Sequence, residues 1–556
     1  MQTDHYPHLL RITAQFLASH VSSTEDWLQL VRSLLLAHEE GHTYIDCQET
    51  TLTRGVAEQL SPNVTPPSPL VLQDAKLYFR RHFDLECQIA ARLYARAEYA
   101  ANQDSRTSSE HAATSSDELP SQHIEALTAM MRGPTTLVTG GPGTGKTTLI
   151  RRAVTWIQRE NPTALIRLAA PTGKAAARLR QALSEPPAAI DLTTIRVETV
   201  HQLLGLSRLR SQSKGERPLN VTHLFIDEAS MLDLKLFAQL LSALPPSARL
   251  TLVGDPDQLP AIEVGSVLPA LLEAADRSPA DALPILSATR LSQTFRFADG
   301  GNIAAQADAV KQGRFDWHGA VNRGAIQPLT NDASALIQAF FSPYIEQLKL
   351  EQTAIQPEAL VDAFESKRIL TPYLEGSFGV RMINQLIEAL LESQDLKRPG
   401  QAHYHGQPIL VVENDHHQGL ANGDLGICID TERVSGWGNS YTERYQVAFR
   451  GPEALRYLPV SLLPKFETSF GMSIHKSQGS EYSDVLLLVP NRDAPQAGHI
   501  LSRQLIYTAI TRAKENLNIL ADEAAWQRAQ RTSIFRRTTL TERILDAIAM
   551  DTEARL

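Results

Sequence analysis

The stretch GGPGTGKT, residues 140–147, sets Gly140, Gly141, Gly143 and Gly145 around Pro142 and Thr144 and ends on Lys146 and Thr147. It fits G-x-x-x-x-G-K-[ST], and it falls between TTLVTG, which reads as a strand, and KTTLIRRAVTWIQRE, which reads as a helix. Glycines let backbone N–H groups approach phosphate oxygens, and a helix N-terminus favours negative charge. Lys146 would reach the β and γ oxygens and Thr147 would ligate Mg²⁺, with Thr148 following in the same turn. The strand-before, helix-after context argues against a plain Gly-rich turn and predicts a nucleoside triphosphate as ligand.

Other residues have types that suit the same chemistry. The apolar run VTHLFIDEA ends in Asp227 and Glu228. Asp227 would hold Mg²⁺ directly or through water, and Glu228 would polarise an attacking water. In RLTLVGDPDQLP, Asp255 sits at a strand's carboxyl end, the edge where open α/β sheets bind ligands. Gln258, in the following turn, could sense the γ-phosphate. Arg296 in LSQTFRF and Arg512 in IYTAITRAKENL would bring cations from a second α/β unit to that phosphate, an arrangement worth about 10³ to 10⁵ in rate. An isolated helical Arg is more often solvated or ion-paired, so both expectations depend on the phosphate loop.

SFGMSIHKSQGSEYSDVLLLVP gathers His475, Lys476, Gln478 and Glu481 ahead of an apolar run. These residues could catalyse a reaction of their own, bind a metal, or serve chemistry located elsewhere. The string His38-Glu39-Glu40-Gly41-His42 matches H-E-x-x-H, taken literally a zinc protease motif. Gly41 weakens a helix at the required turn, HTYIDC reads as a turn into a strand, and no third ligand follows nearby. His403, His405, His416 and His417 fall in polar, Gly-rich loops without cysteine and read as solvated loop histidines.

These residues need elements to position them. Short apolar runs (TTLVTG, ALIRLAA, VTHLFIDEA, RLTLVGD) alternate with helical patterns, which predicts a parallel α/β sheet. The alternation resumes in KRILTPY, DVLLLVP and NLNIL, predicting a second unit, and residues 401–466 read as a small β insertion between its parts. Residues 1–100 read as mostly helical, and 101–121 as a polar linker too poor in apolar surface to offset its ordering entropy. The predicted units are 1–100, 101–121, 122–290 and 291–556.

The 556 residues exceed what one core supports. With 53 Lys and Arg against 62 Asp and Glu, the net charge of −9 excludes bulk attraction to a polyanion, so a nucleic acid would need a local basic groove. Three separated cysteines, the lack of a basic segment leading into a long apolar core at the N-terminus, and the lack of an apolar run of about 18 to 20 residues predict a reducing, cytoplasmic setting.

GGPGTGKTTL, APTGKAAARL, ETVHQLL, FIDEASMLD, VGDPDQLPAIEVGSVL, LSQTFRF, SIHKSQGSEY and IYTAITRAKENL occur in this order. Together they resemble the motifs of superfamily 1 helicases, and within them the RecD-type branch that includes the alpha subunit of exodeoxyribonuclease V. The resemblance covers about residues 122–520, with mild departures such as Ser473 and Tyr482, where Thr and Phe would be expected.

The resemblance implies two RecA-like P-loop domains with parallel sheets, an SH3-like β insertion in the second, and a helical N-terminal domain that docks on partners. It implies ATP-driven movement 5′ to 3′ along single-stranded DNA, unwinding of duplex DNA, and RecB-like and RecC-like subunits in a heterotrimer, with nuclease activity in a partner. It puts Pro171, Thr172, Gly173, Lys174, Thr199, His201, Ser473, His475 and Gln478 towards DNA. Gln122, Gly479 and Glu481 would face the nucleotide, and Lys476 could serve either ligand. A stand-alone helicase of the same branch, for which a longer N-terminal region is expected, and an ATP-dependent DNA-binding scaffold without unwinding are the alternatives.

Overall fold

The computed structural model describes residues 24–47, 60–65, 67–104, 119–184, 190, 195–206, 218–279, 282–295, 302–330, 333–350, 356–415, 417–433, 443–451, 454–491 and 501–555. Most of the linker expected at 101–121 lies outside these residues. The described parts on either side of it are helical: Arg80–Asp104 before and Ser121–Arg132 after.

A six-stranded parallel sheet forms the first lobe, in the order Arg196–Thr199, Ile166–Ala170, His223–Ile226, Arg249–Gly254, Thr135–Gly140, Ser287–Leu291. Its strands are apolar on both sides because alternate residues enter different cores. Leu137, Leu224 and Leu252 join one cluster, whereas Val138, Phe225 and Val253 join another. The second cluster receives Leu149, Ile150, Ala153, Val154 and Ile157, one face of helix Lys146–Glu160.

The second lobe is a five-stranded parallel sheet, in the order Gln327–Pro328, Ala513–Ala521, Tyr482–Val489, Lys367–Thr371, Gly471–Ser473. The same two-sided pattern recurs: Val485 and Leu487 face one core, Leu486 and Leu488 the other. The region expected to be a β insertion holds a five-stranded antiparallel sheet: Leu455–Pro459, Tyr445–Arg450, Leu425–Asp430, Pro408–Val411, Phe466–Thr468. One face of it makes a core of its own around Cys428 and Val447, and Ile427, Ile429 and Ala448 turn towards the second lobe.

Two expected boundaries are corrected. Helix Arg80–Asp104 was placed in a separate N-terminal unit, yet Ile89, Ala90, Leu93 and Ala97 enter the core of the first lobe. Arg96, buried, donates to the carbonyls of Pro134, Pro245 and Ala248. Helix Leu540–Arg555, assigned to the second unit, returns to the first, where Leu540, Ile544 and Ile548 complete the same core. Among the described residues before helix Arg80–Asp104, expected to be mostly helical, Tyr44–Asp46, Leu70–Gln73 and Lys76–Phe79 make a three-stranded antiparallel sheet beside helix Thr24–Glu39.

Candidate functional site

The phosphate loop leaves strand Thr135–Gly140 at the carboxyl edge of the first sheet and turns through Gly145, whose φ of +85° only glycine adopts without strain. Helix Lys146–Glu160 then begins without a side-chain cap, so its first N–H groups point into the loop with no competing acceptor from a side chain. Lys146 Nζ donates to the carbonyls of Gly140 and Gly141 at 2.6 and 2.8 Å, which holds the ammonium over the loop. Pro142 and Thr147 are half-buried in the loop and the first helical turn, and Thr148 is exposed.

His123 Nε2 lies 3.0 Å from the carbonyl oxygen of Thr144, and Phe295 N–H donates to Gly143 O at 2.8 Å. The two rings meet edge to face at 5.3 Å. Neither residue was singled out from the sequence, although His123 directly follows Gln122. Gln122 accepts from the backbone and hydroxyl of Ser292, at 3.0 and 3.1 Å, and so pins helix Ser121–Arg132 to the end of strand Ser287–Leu291.

Arg296 lies outside the described residues.

Asp227 and Glu228 follow strand His223–Ile226, two strands from the phosphate loop. Asp227 Oδ1 accepts from the N–H of Glu228 at 2.9 Å. Burial, then the neighbouring Glu228 charge, raises the Asp227 pKa above the usual carboxylate range. Glu228 has φ +54°, a left-handed conformation that costs a non-glycine residue energy and is characteristic of functional positions.

Asp255, Gln258 and Arg512 are buried together. Asp255 Oδ2 accepts from Gln258 Nε2 at 3.1 Å and from the Tyr507 hydroxyl at 2.9 Å. Gln258 Oε1 accepts from Arg512 at 2.9 Å, and Arg512 also donates to the carbonyls of Thr508 and Ser480. Leu259 carries the junction further: its side chain enters the core of the second lobe and its N–H donates to Thr508 Oγ1 at 2.9 Å.

The residues expected to meet DNA divide into two groups. Residues 171–174 follow strand Ile166–Ala170 and Thr199 ends strand Arg196–Thr199, at the far flank of the same carboxyl edge. Thr172 Oγ1 accepts from Ala175 N–H at 3.2 Å. Thr199 forms a capping box with Gln202 at the short helix Val200–Leu203, on which His201 is exposed.

The second group is the loop between Gly471–Ser473 and Tyr482–Val489. Ser473 is buried there, His475 half-buried, and Lys476 pairs with Glu467. Gln478, expected to face DNA, is buried instead and donates to Leu259 O at 3.0 Å. Its amide is used in joining the lobes. Gly479, expected at the nucleotide, has φ +72°, and a Cβ there would sit 3.3 Å from Thr172 Oγ1. Glu481, likewise expected at the nucleotide, forms an ion pair of 2.5 Å with Arg178, a residue of APTGKAAARLR that received no role from the sequence.

The other motifs resolve into packing. Helix Thr24–Glu39 ends before Gly41; His38 Nε2 lies 3.0 Å from Arg81, and His42 Nδ1 accepts from Arg537 N–H at 2.8 Å. Two loop histidines are not solvated as expected: His405 is buried and accepts from Asp430 N–H, and His403 is half-buried with its ring near Tyr445 and Phe466. His417 is exposed, and His416 lies outside the described residues. No helix among the described residues is long and apolar enough to cross a membrane.

Two family models match the chain, an AAA domain over residues 123–264 and a UvrD-like helicase C-terminal domain over residues 469–520. The chain is 34% identical over 448 residues to the RecBCD enzyme subunit RecD of Mycolicibacterium smegmatis, covering 77% of this chain and 75% of that one. It is 29% identical over 480 residues to the RecBCD enzyme subunit RecD of Haemophilus influenzae, covering 76% and 72%. It is 30% identical over 419 residues to the ATP-dependent RecD2 DNA helicase of Deinococcus radiodurans, covering 73% of this chain and 50% of the relative.

Proposed function

The chain belongs to the RecD family, and from that premise we propose that it is an ATP-dependent DNA helicase subunit moving 5′ to 3′ along single-stranded DNA. It would unwind duplex DNA within a heterotrimer with RecB-like and RecC-like subunits, in cytoplasmic recombinational repair of double-strand breaks and in DNA degradation, with cleavage in a partner. The observation that carries this reading is the buried chain of bonds from Asp255 through Gln258 to Arg512, which ties the edge beside the phosphate loop to the second lobe.

In this reading Lys146 exchanges its two loop carbonyls for phosphate oxygens, and the uncapped helix N-terminus supplies N–H donors to them. Glu228 orients a water and takes its proton. Mg²⁺ fits the donor set: the Thr147 hydroxyl and the Asp227 carboxylate are hard oxygen ligands, and a divalent cation would favour the ionised Asp227 against the burial, and then the Glu228 charge, that raise its pKa. When bound, it would neutralise charge on the phosphate oxygens.

Arg512 would stabilise charge that develops on the transferred phosphoryl group, and Gln258 beside it would sense the loss of the γ-phosphate. Because Gln258 is bonded to both lobes, that loss would change the cleft. Residues 171–174, Thr199, His201, Ser473 and His475 would then shift their grip on the strand. The work per step is small, since duplex stacking averages about 1.4 kcal/mol per base-pair step.

The test is purification from native extract followed by unwinding of 5′-tailed and 3′-tailed duplexes, with Lys146→Gln as control. Co-purifying subunits and displacement of the 5′-tailed strand alone are expected, with neither turnover nor unwinding in Lys146→Gln. A solitary monomer with full unwinding activity would refute the subunit reading. ATP hydrolysis without strand displacement would establish a scaffold instead.

A further inference from the structure

Lys174 and Arg178 stand one turn apart on helix Gly173–Ser184, the spacing that puts two side chains on one face. Both cations leave the first lobe and dock on consecutive residues of the second. Lys174 Nζ lies 3.5 Å from the Tyr482 hydroxyl and 5.4 Å from the centroid of its ring. Arg178 meets the Glu481 carboxylate at 2.5 Å, and only 9% of that glutamate's side chain is exposed.

The start of this helix is held at two further points. A Cβ on Gly479 would lie 3.4 Å from that of Ala175, and one on Gly173 would lie 2.6 Å from that of Ala421 in the β insertion. Strand Ile166–Ala170, which leads into this helix, pairs with His223–Ile226, which leads to Asp227 and Glu228, and the Asp227 N–H donates to Ala169 O at 2.9 Å. Burial works against the Arg178 charge, and the carboxylates of Glu481, Glu228 and Asp227 outweigh it. Helix Gly173–Ser184 therefore joins residues 171–174 at its start to a guanidinium, a turn later, that binds an acid of the second lobe.

We propose that Arg178 is a positioning residue: with Glu481 it forms a cross-cleft clasp that relays occupancy of the DNA-facing loop 171–174 to Asp227 and Glu228. The proposal rests on the helicase reading above. A DNA phosphate that engages Lys174 must draw its ammonium from Tyr482. This releases one of the two cations that dock the helix, while the Arg178–Glu481 pair stays closed and transmits the shift. Glu481 then serves the nucleotide through Arg178.

The clasp is tested by steady-state ATP turnover of the full chain, with and without a single-stranded oligodeoxythymidylate, for wild type, Arg178→Gln, Arg178→Lys, Glu481→Gln and the Arg178→Gln/Glu481→Gln double variant. Arg178→Gln is expected to lose at least about tenfold of the DNA stimulation while DNA-free turnover stays within about twofold and KM for ATP is unchanged. Arg178→Lys should retain more of the stimulation, and the double variant should be no worse than the poorer single one. Equal loss of DNA-free and DNA-stimulated turnover in Arg178→Gln, undiminished stimulation, or losses that multiply in the double variant would each overturn the clasp alone. Wild-type turnover indifferent to DNA would overturn the helicase reading and the clasp with it.

Discussion

The Arg512 guanidinium donates to Gln258 Oε1 at 2.9 Å, a bond between residues of the two lobes that are 254 positions apart. Arg512 is 2% exposed, and it also donates to the carbonyls of Thr508 and Ser480 and to Thr511 Oγ1, so its charge is held where only a planar fork reaches every acceptor. Arg512→Lys keeps the charge and loses the fork. Turnover of bound ATP is expected to fall about 10³-fold or more, with nucleotide affinity much less affected. Single-turnover hydrolysis beside equilibrium binding of a fluorescent nucleotide separates the two effects. A fall of under about tenfold would leave Arg512 with a structural role only.

His475 begins the single turn His475–Ser477 in the loop between strands Gly471–Ser473 and Tyr482–Val489. Gln478 and Arg512 bond this loop to the nucleotide side, whereas His475 is one of the residues that the family resemblance puts towards DNA. His475→Ala is therefore expected to impair unwinding more than DNA-free ATP hydrolysis. Strand-displacement and hydrolysis rates on one preparation measure both, and equal loss would refute this division of labour.

What could be read from the sequence was what is local. The phosphate loop, the carboxylates at the end of VTHLFIDEA and the alternation of strand and helix each lie within about a dozen residues, where spacing and periodicity fix geometry. The contacts that make the cleft work are not local. Gln478 meets Leu259 across 219 positions and Tyr507 meets Asp255 across 252, so composition near either partner gives no sign of the other. Arg178 stood inside a quoted motif, and only the approach of the second lobe reveals Glu481 as its partner. Helix Leu540–Arg555 shows the same limit: its pattern says that a face is buried, and only the tertiary fold shows that the first lobe covers it.

Glu86, fully buried, accepts from Thr43 Oγ1, Thr538 Oγ1, the N–H and hydroxyl of Thr539, and Arg543 Nε. One carboxylate thus ties helix Arg80–Asp104 to the strand-bearing N-terminal part and to the tail. Glu86→Ala would leave these donors and the Arg543 charge without their shared acceptor, and is expected to destabilise the fold by about 3 to 5 kcal/mol. Thr43→Val removes one donor and should cost about 1 kcal/mol. Urea unfolding of both variants checks the ranking, and equal midpoints would show that the buried carboxylate is not the dominant tie.

His82 is 5% exposed, stacks on His38 at 4.9 Å and meets the edge of Phe79. Burial, then the Arg81 charge and His38, pushes its pKa down to about 3, below the ordinary imidazole value. Below about pH 6.5 the unfolded chain takes up a proton that the folded chain refuses, so the stability from the neutral ring is full above that pH and is lost as pH falls towards the folded value. Between pH 7.5 and 5.0 the loss from this one group should be about 2 kcal/mol. His82→Phe keeps an aromatic ring beside Phe79 and removes the titration, so the difference between urea midpoints at the two pH values should shrink by that amount. An undiminished difference would assign the acid sensitivity to other groups, foremost His38, whose pKa is also lowered by burial and by Arg81.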